Sequence, residues 1–376
     1  MNQSIDVVLS GSGLTHPKDV VTNEELVKCF NSYVQHYNHE HAKEIAEGEI
    51  EALKESAVDF IVKASGIKQR YARDKKNFLD PNVMWQFFKE GSDDELSLQA
   101  AEGLTAAKEA LKNANKNPED IDAVILSCSH KQRDYPSVSI EIQNALGIKG
   151  FAFDMGVACS SATFAIQMAV DTIRAGHAKA VLVISPEISL GKVNFRDRDS
   201  HFIFGEATTA VVIERADGCK AKDAFKILET HLQTNFSNAV RNNSGAYDRS
   251  SPETFNSPKK MFYQEGRKVF KEVTPMVIQE ILTQLAKYRL TPADVKRFWL
   301  HQANANMNRF ICEKLLGEDY DPVRAPVVLD EFGNSAAAGS IIAYHRHHDN
   351  INSGEYTVLC SFGAGYSIGC ILLQKV

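Results

Sequence analysis

Hydrophobic and polar positions follow two different periods along most of this 376-residue chain. Apolar runs without polar alternation, such as 181–185 and 358–360, are typical of strands in a sheet that is covered on both faces. Stretches with helical spacing lie between such runs, for example 97–114 and 272–288. Strands that alternate with helices predict an α/β fold, in which layers of helices pack on sheets.

One sequence of elements, a helix followed by a linker and a strand, occurs twice in the chain. Helix 97–114 and helix 272–288 are each followed by a Pro-x-Asp-Ile or Pro-x-Asp-Val linker and then by a strand. Two further pairs of matching segments follow in the same order. Three matched units in one order indicate an internal duplication. We therefore predict two similar α/β halves, residues 1–218 and 219–376.

Three segments interrupt the repeated pattern. Residues 31–56 are polar with helical composition, and we expect a solvated helix there. Residues 74–95 contain Pro81, Gly91 and an acidic cluster, which predict a loop with one short helix. Residues 231–265 are polar and loop-like, and we expect an excursion on the second half.

Composition limits the class of protein. The chain is 44% hydrophobic and 24% charged, which is ordinary for a globular protein with a large core. No apolar run reaches the length of a membrane span, and no signal peptide is visible. The net charge of −6 argues against nucleic acid as the main partner. Seven cysteines without paired spacing predict reduced thiols in the cytoplasm, and nothing resembles a metal site.

Cys159 lies where a predicted strand turns into a predicted helix. Phe151, Phe153 and Met155 alternate with small residues, and apolar residues at helical spacing follow from Ser160. A thiol at a helix N-terminus meets unpaired backbone N–H groups, which lower its pKa. Small neighbours leave room for a substrate, so a reactive thiol is one interpretation. The alternative is a buried structural cysteine.

His301 and Asn334 lie at comparable junctions in the second half. His301 ends a predicted strand, and Asn334 lies in a turn of small residues before a predicted helix, 336–351. Taken singly, His301 fits a core histidine and Asn334 a helix N-cap. Because ligands bind beyond the carboxyl ends of strands in α/β sheets, we predict that both residues meet Cys159 in one site.

A thiol with histidine and asparagine supports two chemistries. In a papain-like hydrolase, His301 deprotonates Cys159 and Asn334 orients the imidazole. In a condensing enzyme, Cys159 carries an acyl thioester, and His301 and Asn334 stabilise the enolate formed when a malonyl group loses CO2. Backbone N–H groups of Cys159 and of the turn 362–365 would then bind the acyl oxygen. The duplication favours the condensing enzyme.

At these residues the chain resembles the ketoacyl-acyl-carrier-protein synthase III family of the thiolase superfamily. The motifs are Asp154-Met155-Gly156-Val157-Ala158-Cys159-Ser160, His301-Gln302-Ala303-Asn304, Gly333-Asn334-Ser335-Ala336-Ala337 and Phe362-Gly363-Ala364-Gly365-Tyr366. The resemblance implies a duplicated thiolase-like fold with five layers, α/β/α/β/α, and a homodimer. It also implies an acyltransferase that starts fatty acid biosynthesis by a decarboxylating Claisen condensation. No membrane and no cofactor are implied, because acyl-coenzyme A and malonyl-acyl carrier protein are substrates.

The resemblance also assigns roles to residues. It makes Cys159 the acylated nucleophile, and His301 and Asn334 the decarboxylation pair. The backbone N–H groups of Cys159 and Ala364 form the oxyanion hole. Tyr135 falls where the family has an aromatic residue that crosses the dimer and floors the acyl pocket of the partner.

Two departures from the family concern the substrate carriers. Phe60 and Ala64 stand where typical members have the Trp and Arg that bind the adenine of coenzyme A. The arginine after the histidine motif, used to dock carrier protein, is replaced. Lys259, Lys260, Arg267 and Lys268 form a basic stretch that we expect to dock the acidic carrier protein, with a solvated helix face as the alternative.

The expansions and the altered entrance suggest a primer longer than acetyl. Such chains resemble the medium-chain, or beta-ketodecanoyl, subgroup, which condenses a primer such as octanoyl. An acyltransferase or a non-decarboxylating Claisen enzyme on the same fold is an alternative, and the latter would need a base such as Glu141 or Glu206. A non-catalytic partner subunit is a further alternative, which the presence of Cys159, His301 and Asn334 argues against.

Overall fold

The structure is a computed structural model that describes residues 5–89, 91, 92, 94–244, 254 and 257–376. In these residues nine strands form one hydrogen-bonded sheet. They are β1 (Val7–Thr15), β4 (Ala123–Ser127), β5 (Phe151–Met155), β6 (Ala180–Glu187), β7 (Ala207–Arg215), β8 (Phe225–Ser237), β11 (Val295–Leu300), β12 (Tyr356–Gly363) and β13 (Gly365–Lys375). The strands β2 (Val20–Thr22) and β3 (Gln69–Tyr71) form a small pair, and so do β9 (Val240–Asn242) and β10 (Phe262–Gln264).

Helices cover the faces of this sheet. They are α1 (Asn23–Glu40), α2 (Ala42–Ala46), α3 (Val58–Ser65), α4 (Lys75–Phe78), α5 (Leu98–Asn113), α6 (Val138–Leu146), α7 (Ser161–Arg174), α8 (Gly266–Lys287), α9 (Ala305–Leu316), α10 (Leu329–Phe332) and α11 (Ala338–Arg346). Within the described residues, none of these helices is long and apolar enough to cross a membrane.

The strand order repeats across the sheet. The first part has the order β5-β4-β6-β7-β1, and the second has β11-β12-β13-β8. In each part a parallel pair, β4 with β6 or β11 with β12, is followed by two antiparallel neighbours. The parts meet where β1 pairs with β8 through only two residues of each strand. This arrangement is what a duplication produces, while the exact boundary at residue 218 stays a prediction.

Two helices lie between the two parts of the sheet. Both α7 and α11 contact strands of the first part and strands of the second. The outer face of the first part is covered by α5 and α6, and that of the second by α8 and α9. The predicted five-layered α/β/α/β/α fold is therefore confirmed. The close packing of α5 on β1 needs a residue without a side chain at Gly13. A β-carbon there would lie 2.1 Å from the carbonyl oxygen of Ala106 in α5.

Most predicted elements are present, with shifted ends. The solvated helix expected over 31–56 is only half correct, because α1 ends at Glu40 and α2 at Ala46. The rest returns along α1, where the side chain of Asn38 bonds both backbone groups of Leu53. The helix expected over 336–351 is shorter, at Ala338–Arg346. The short helix expected within 74–95 is α4.

The excursion expected over 231–265 is partly strand. The strand β8 continues to Ser237, and β9 and β10 follow as a hairpin-like pair. Residues 245–253, 255 and 256 of this segment lie outside the described residues.

Candidate active site

Cys159 lies in the turn between β5 and α7, as the sequence pattern indicates. The turn is tight, and Ala158 has a φ of +46°. The Ser161 hydroxyl stabilises it, since its oxygen accepts from the Val157 N–H at 2.8 Å and its proton goes to the Ala158 carbonyl at 2.6 Å. The neighbours of Cys159 at this turn have small side chains, and the residue is half-buried.

The backbone around the sulfur is tied to the glycine-rich turn at the end of β12. The Ser160 hydroxyl donates to the Ser367 carbonyl at 3.0 Å, and the Ser367 hydroxyl donates to the Ala364 carbonyl at 2.9 Å. A β-carbon on Gly363 would lie 2.6 Å from the β-carbon of Cys159. Glycine is therefore needed at 363 for the two turns to meet.

The Cys159 thiol is not the low-pKa group that its helix position predicts. Burial, and secondly the charge of Glu187, raise its pKa to about 12. Backbone hydrogen bonds from Ala364 and from Cys159 itself act in the opposite direction. The expectation was wrong because removing a thiolate from water costs more than these N–H groups recover. The same two N–H groups nevertheless lie close to the sulfur.

His301 follows the last residue of β11 and is almost completely buried. Its N–H donates to the Cys360 carbonyl at 2.8 Å, which extends the pairing of β11 with β12. Its ring packs edge-on to Phe362, with centroids 5.3 Å apart, so it lies beside the turn that contacts Cys159. Burial lowers the pKa of His301 to about 3, and the imidazole is therefore neutral near pH 7. Among the described residues, Nδ1 has no hydrogen-bond partner.

Asn334 is held against the first half of the chain. Its N–H donates to the Ile203 carbonyl at 2.9 Å, and its carbonyl accepts from the Gly205 N–H at 3.2 Å. Its side-chain oxygen accepts from the Ala336 N–H at 2.9 Å. Because Oδ1 is engaged there, Nδ2 remains as a donor. Asn334 is therefore not the N-cap of the following helix, because α11 begins at Ala338 and its N-cap is Ala337.

Glu187 is a site residue that the sequence analysis missed. It is the last residue of β6 and is 1% exposed. Its charge raises the pKa of Cys159, and its Oε1 accepts from the Ala337 N–H at 3.1 Å. The signal in the sequence was a carboxylate at the end of an otherwise apolar strand.

The two pocket residues lie apart from this group. Phe60 is in α3, and the guanidinium carbon of Arg198 lies 4.0 Å from its ring centroid. Ala64 carries no cation, but Arg198, which is distant in the sequence, places one against the Phe60 ring, and the sequence carried no signal for this contact. Tyr135 is 85% exposed and projects from the loop between β4 and α6.

The two carboxylates considered as a base are engaged elsewhere. Glu206 is buried and accepts from Nε of Arg73 at 2.9 Å and from Gln86 at 2.9 Å. Glu141 pairs with Arg133 at 2.8 Å and accepts from the Ser97 N–H at 2.8 Å. The Glu206 contacts hold the segment before α5, and the Glu141 contacts hold the loop before α6. Both carboxylates therefore have structural roles.

Comparisons with known proteins show which family this chain resembles in sequence. Residues 153–235 match the sequence profile of 3-oxoacyl-[acyl-carrier-protein] synthase III, and residues 285–375 match the profile of its C-terminal part. A beta-ketodecanoyl-[acyl-carrier-protein] synthase of Pseudomonas aeruginosa is 52% identical over 349 residues, which are 93% of this chain and 100% of that protein. A beta-ketoacyl-[acyl-carrier-protein] synthase III of Agrobacterium fabrum is 31% identical over 98% of both chains.

Solved structures show the same fold. The 3-oxoacyl-[acyl-carrier-protein] synthase III of Aquifex aeolicus superposes with a TM-score of 0.75 at 25% identity, over 98% of this chain and 99% of that one. The priming beta-ketosynthase of the R1128 polyketide pathway gives 0.78 at 20% identity, over 100% and 97%. The motifs, the fold and the relatives agree, and the chain is a condensing acyltransferase that belongs to the 3-oxoacyl-[acyl-carrier-protein] synthase III family.

Proposed function

We propose that this protein is a 3-oxoacyl-acyl-carrier-protein synthase that starts fatty acid biosynthesis. An acyl group is loaded on Cys159 and then condensed with malonyl-acyl carrier protein, with loss of CO2. The observation that carries the proposal is that Cys159 lies against the Gly363 turn, and His301 packs on the neighbouring Phe362. Glu187, whose charge acts on Cys159, also binds the loop that carries Asn334. The reaction needs no cofactor, since the two substrates supply every atom of the product.

In the first step the Cys159 sulfur attacks the thioester carbonyl of the primer. The negative oxygen that forms is bound by the N–H groups of Cys159 and Ala364. The carrier leaves as a thiol and takes the proton that Cys159 releases. Because burial raises the pKa of Cys159, its proton leaves only as the sulfur attacks, and it passes to the departing thiolate of the carrier.

In the second step malonyl-acyl carrier protein loses CO2. The electrons of the broken C–C bond pass to the thioester carbonyl oxygen, which becomes an enolate. Asn334 Nδ2 and one N–H of His301 donate to that oxygen and stabilise its charge. The enolate carbon then attacks the acyl thioester, which gives the 3-oxoacyl product and returns the Cys159 thiol. A neutral imidazole suits this role, because it donates without first having to gain a proton.

We propose coenzyme A as the carrier of the primer. The Arg198 guanidinium lies flat against one face of the Phe60 ring, 4.0 Å from its centroid, and an adenine can stack on the outer face of that guanidinium. Arg198 Nε donates to the Glu55 carbonyl at 2.8 Å, which holds the guanidinium near the ring.

The primer is a medium-chain acyl group, such as octanoyl. The name of the Pseudomonas aeruginosa relative, a beta-ketodecanoyl synthase, supports this, because condensation lengthens octanoyl by two carbons. The additional segments 31–56 and 74–95, absent from the repeated pattern, lie in the same half as Phe60 and support an altered entrance.

A homodimer is proposed from the edge of the sheet. The strand β5 is an edge strand, and Phe151 and Phe153 on it are 41% and 37% exposed. Exposed apolar edge strands pair readily with another strand. Pairing of two β5 strands would cover these rings and bring Tyr135 towards the partner. Sedimentation should show a dimer, and Phe153→Glu should shift it towards a monomer; a wild-type monomer would contradict this.

The carrier protein docks on exposed basic residues beside α8. Lys259, Arg267 and Lys268 are exposed there. Acidic partners are attracted to such patches in a salt-dependent way. Arg267→Glu with Lys268→Glu should raise KM for malonyl-acyl carrier protein, whereas Lys43→Glu on α2 should not. An unchanged KM in the double variant would contradict docking at this surface.

Seven cysteines without disulfides support a cytoplasmic location.

Product analysis tests the proposed function. Purified protein is mixed with acyl-coenzyme A esters of two to twelve carbons and malonyl-acyl carrier protein, and CO2 and 3-oxoacyl products are measured. The proposal predicts both products, with the highest kcat/KM for a medium-chain primer. Transfer of the acyl group without CO2 would indicate an acyltransferase of another kind.

A further inference from the structure

Glu187 makes an unusual set of contacts for a buried carboxylate. Its Oε1 accepts from the Ser129 N–H at 2.8 Å, from the Ser129 hydroxyl at 3.0 Å and from the Ala337 N–H at 3.1 Å. The Ser189 hydroxyl lies 3.5 Å from Oε2. One side chain thereby joins the loop after β4, the end of β6 and the loop that carries Asn334.

The Asn334 loop depends on such contacts. The N–H of Ala336 donates to Asn334 Oδ1, and the next N–H, of Ala337, donates to Glu187. Ala336 has a φ of +43°, a conformation that residues with a side chain rarely adopt. The loop can keep this strained form only while its hydrogen bonds hold it.

We propose that Glu187 is a positioning residue, which holds the Asn334 loop against the Ser129 loop so that Asn334 Nδ2 faces the malonyl oxygen. The inference rests on the function proposed above. Glu187 touches no substrate in this role, and no bond is made or broken at its carboxylate. Its effect should fall on the decarboxylation step, which uses Asn334, and not on acylation, which uses the N–H groups of Cys159 and Ala364.

The charge of Glu187 supplies an independent readout. Burial raises the pKa of Glu187 to about 7, and its charge contributes to the raised pKa values of Cys159 and Cys128. Asp154 also raises the pKa of Cys128. Removal of the Glu187 charge should therefore increase the thiolate fraction of Cys159 above pH 7 and have no effect well below it, where Glu187 is already protonated.

The test compares Glu187→Ala, the isosteric Glu187→Gln and Glu214→Ala as a control. Glu214 is another buried carboxylate, which pairs with Lys116 and lies opposite Ala180 at the far end of β6. Three rates are measured for each protein: acylation by octanoyl-coenzyme A from intact mass, CO2 release from malonyl-acyl carrier protein, and alkylation of Cys159 by iodoacetamide from pH 5.5 to 9.

In Glu187→Ala we expect CO2 release to fall about 10- to 100-fold, as for a misplaced catalytic group, with acylation within about threefold of the wild type. The Gln variant should restore CO2 release to within about threefold, because its side-chain oxygen can accept the same hydrogen bonds. In both Glu187 variants, Cys159 should be alkylated about threefold or more faster than in the wild type above pH 7. Below pH 6 the alkylation rates of the variants and the wild type should be equal. The Glu214→Ala control should change neither the ratio of the two steps nor the alkylation profile.

Loss of CO2 release in Glu187→Gln as large as in Glu187→Ala would overturn the proposal and indicate proton transfer by the carboxyl group. Equal loss of acylation and CO2 release in Glu187→Ala would overturn it in favour of a general structural role. If the wild type itself releases no CO2, the proposed function fails. A crystal structure of Glu187→Ala then tests separately whether Glu187 holds the Asn334 loop in place. An unmoved loop at Ala336 and Ala337 would then contradict it, and a displaced loop would support it.

Discussion

Gly363 lies directly against Cys159. A β-carbon at 363 would come within 2.6 Å of the Cys159 β-carbon and 3.1 Å of its sulfur. The contact joins a turn of the second half to the nucleophile of the first. It also brings the Ala364 N–H close enough to the sulfur to lower the pKa of Cys159, as expected of the proposed oxyanion hole.

Gly363→Ala should therefore lower acylation of Cys159 by about 100-fold or more, because the added methyl group must displace the sulfur or the turn. Intact mass after addition of octanoyl-coenzyme A measures this. Gly218→Ala is the matched control, since a β-carbon there meets only a carboxylate oxygen at 4.0 Å. Normal acylation of Gly363→Ala would show that the turn moves freely away from Cys159.

Asn334→Ala and His301→Ala should separate the two steps. Each variant loses a donor to the enolate oxygen, and removal of one such donor costs about 100- to 1000-fold. We expect Asn334→Ala to accumulate acyl-enzyme that malonyl-acyl carrier protein does not discharge. His301→Ala should likewise lose CO2 release while it keeps acylation, because the variant lacks the other donor to the enolate oxygen. Equal losses in both steps for Asn334→Ala would contradict its assignment.

Arg198→Ala should raise KM for acyl-coenzyme A about 5- to 10-fold and leave kcat nearly unchanged, since a cation over a ring contributes about 1 kcal/mol or more to binding. Initial rates at fixed malonyl-acyl carrier protein measure this. Arg215→Ala is the control, because Arg215 is paired with Asp217 at the opposite end of the sheet. If Arg198→Ala and Arg215→Ala have the same KM, the adenine does not bind at Phe60.

Acid should destabilise the fold through its buried histidines. Burial lowers the pKa of His201 to about 4, whereas an unfolded histidine titrates near 6.5. Between these values the unfolded chain binds a proton that the folded chain does not. Stability is therefore full above pH 6.5 and falls as the pH drops towards 4, by up to about 1.4 kcal/mol per pH unit for this group.

Urea unfolding at pH 7, 6, 5 and 4.5 checks this. The variant His201→Phe keeps a ring against Phe30 but cannot titrate, so its stability should fall less steeply with acid. An equal slope in the variant and the wild type would show that His201 is not part of the effect.

Much of the fold could be predicted because its strands and helices have clear periods. The strand and helix around Cys159 and the strand before His301 were all found from spacing. Residues 31–56 were not, since the return after Ala46 is held by side-chain bonds such as Asn38 to Leu53, which a helical composition does not reveal. The exposed rings of β5 follow from its place at the sheet edge, which spacing alone does not give.

The site was predicted in part for a similar reason. Cys159, His301 and Asn334 lie at strand ends in turns of small residues, a pattern visible in the chain. Arg198 could not be found, because its link to Phe60 exists only in space. The raised pKa of Cys159 could not be found either, since it depends on burial and on Glu187.

In the proposed reaction Cys159 carries the acyl group that malonyl-acyl carrier protein removes. Intact-protein mass spectrometry tests this on the wild type and Cys159→Ala after octanoyl-coenzyme A, before and after malonyl-acyl carrier protein is added. We expect one octanoyl adduct on the wild type, none on the variant, and loss of the adduct as CO2 and 3-oxodecanoyl-acyl carrier protein form. An adduct that persists, or one that forms equally on Cys159→Ala, would contradict it.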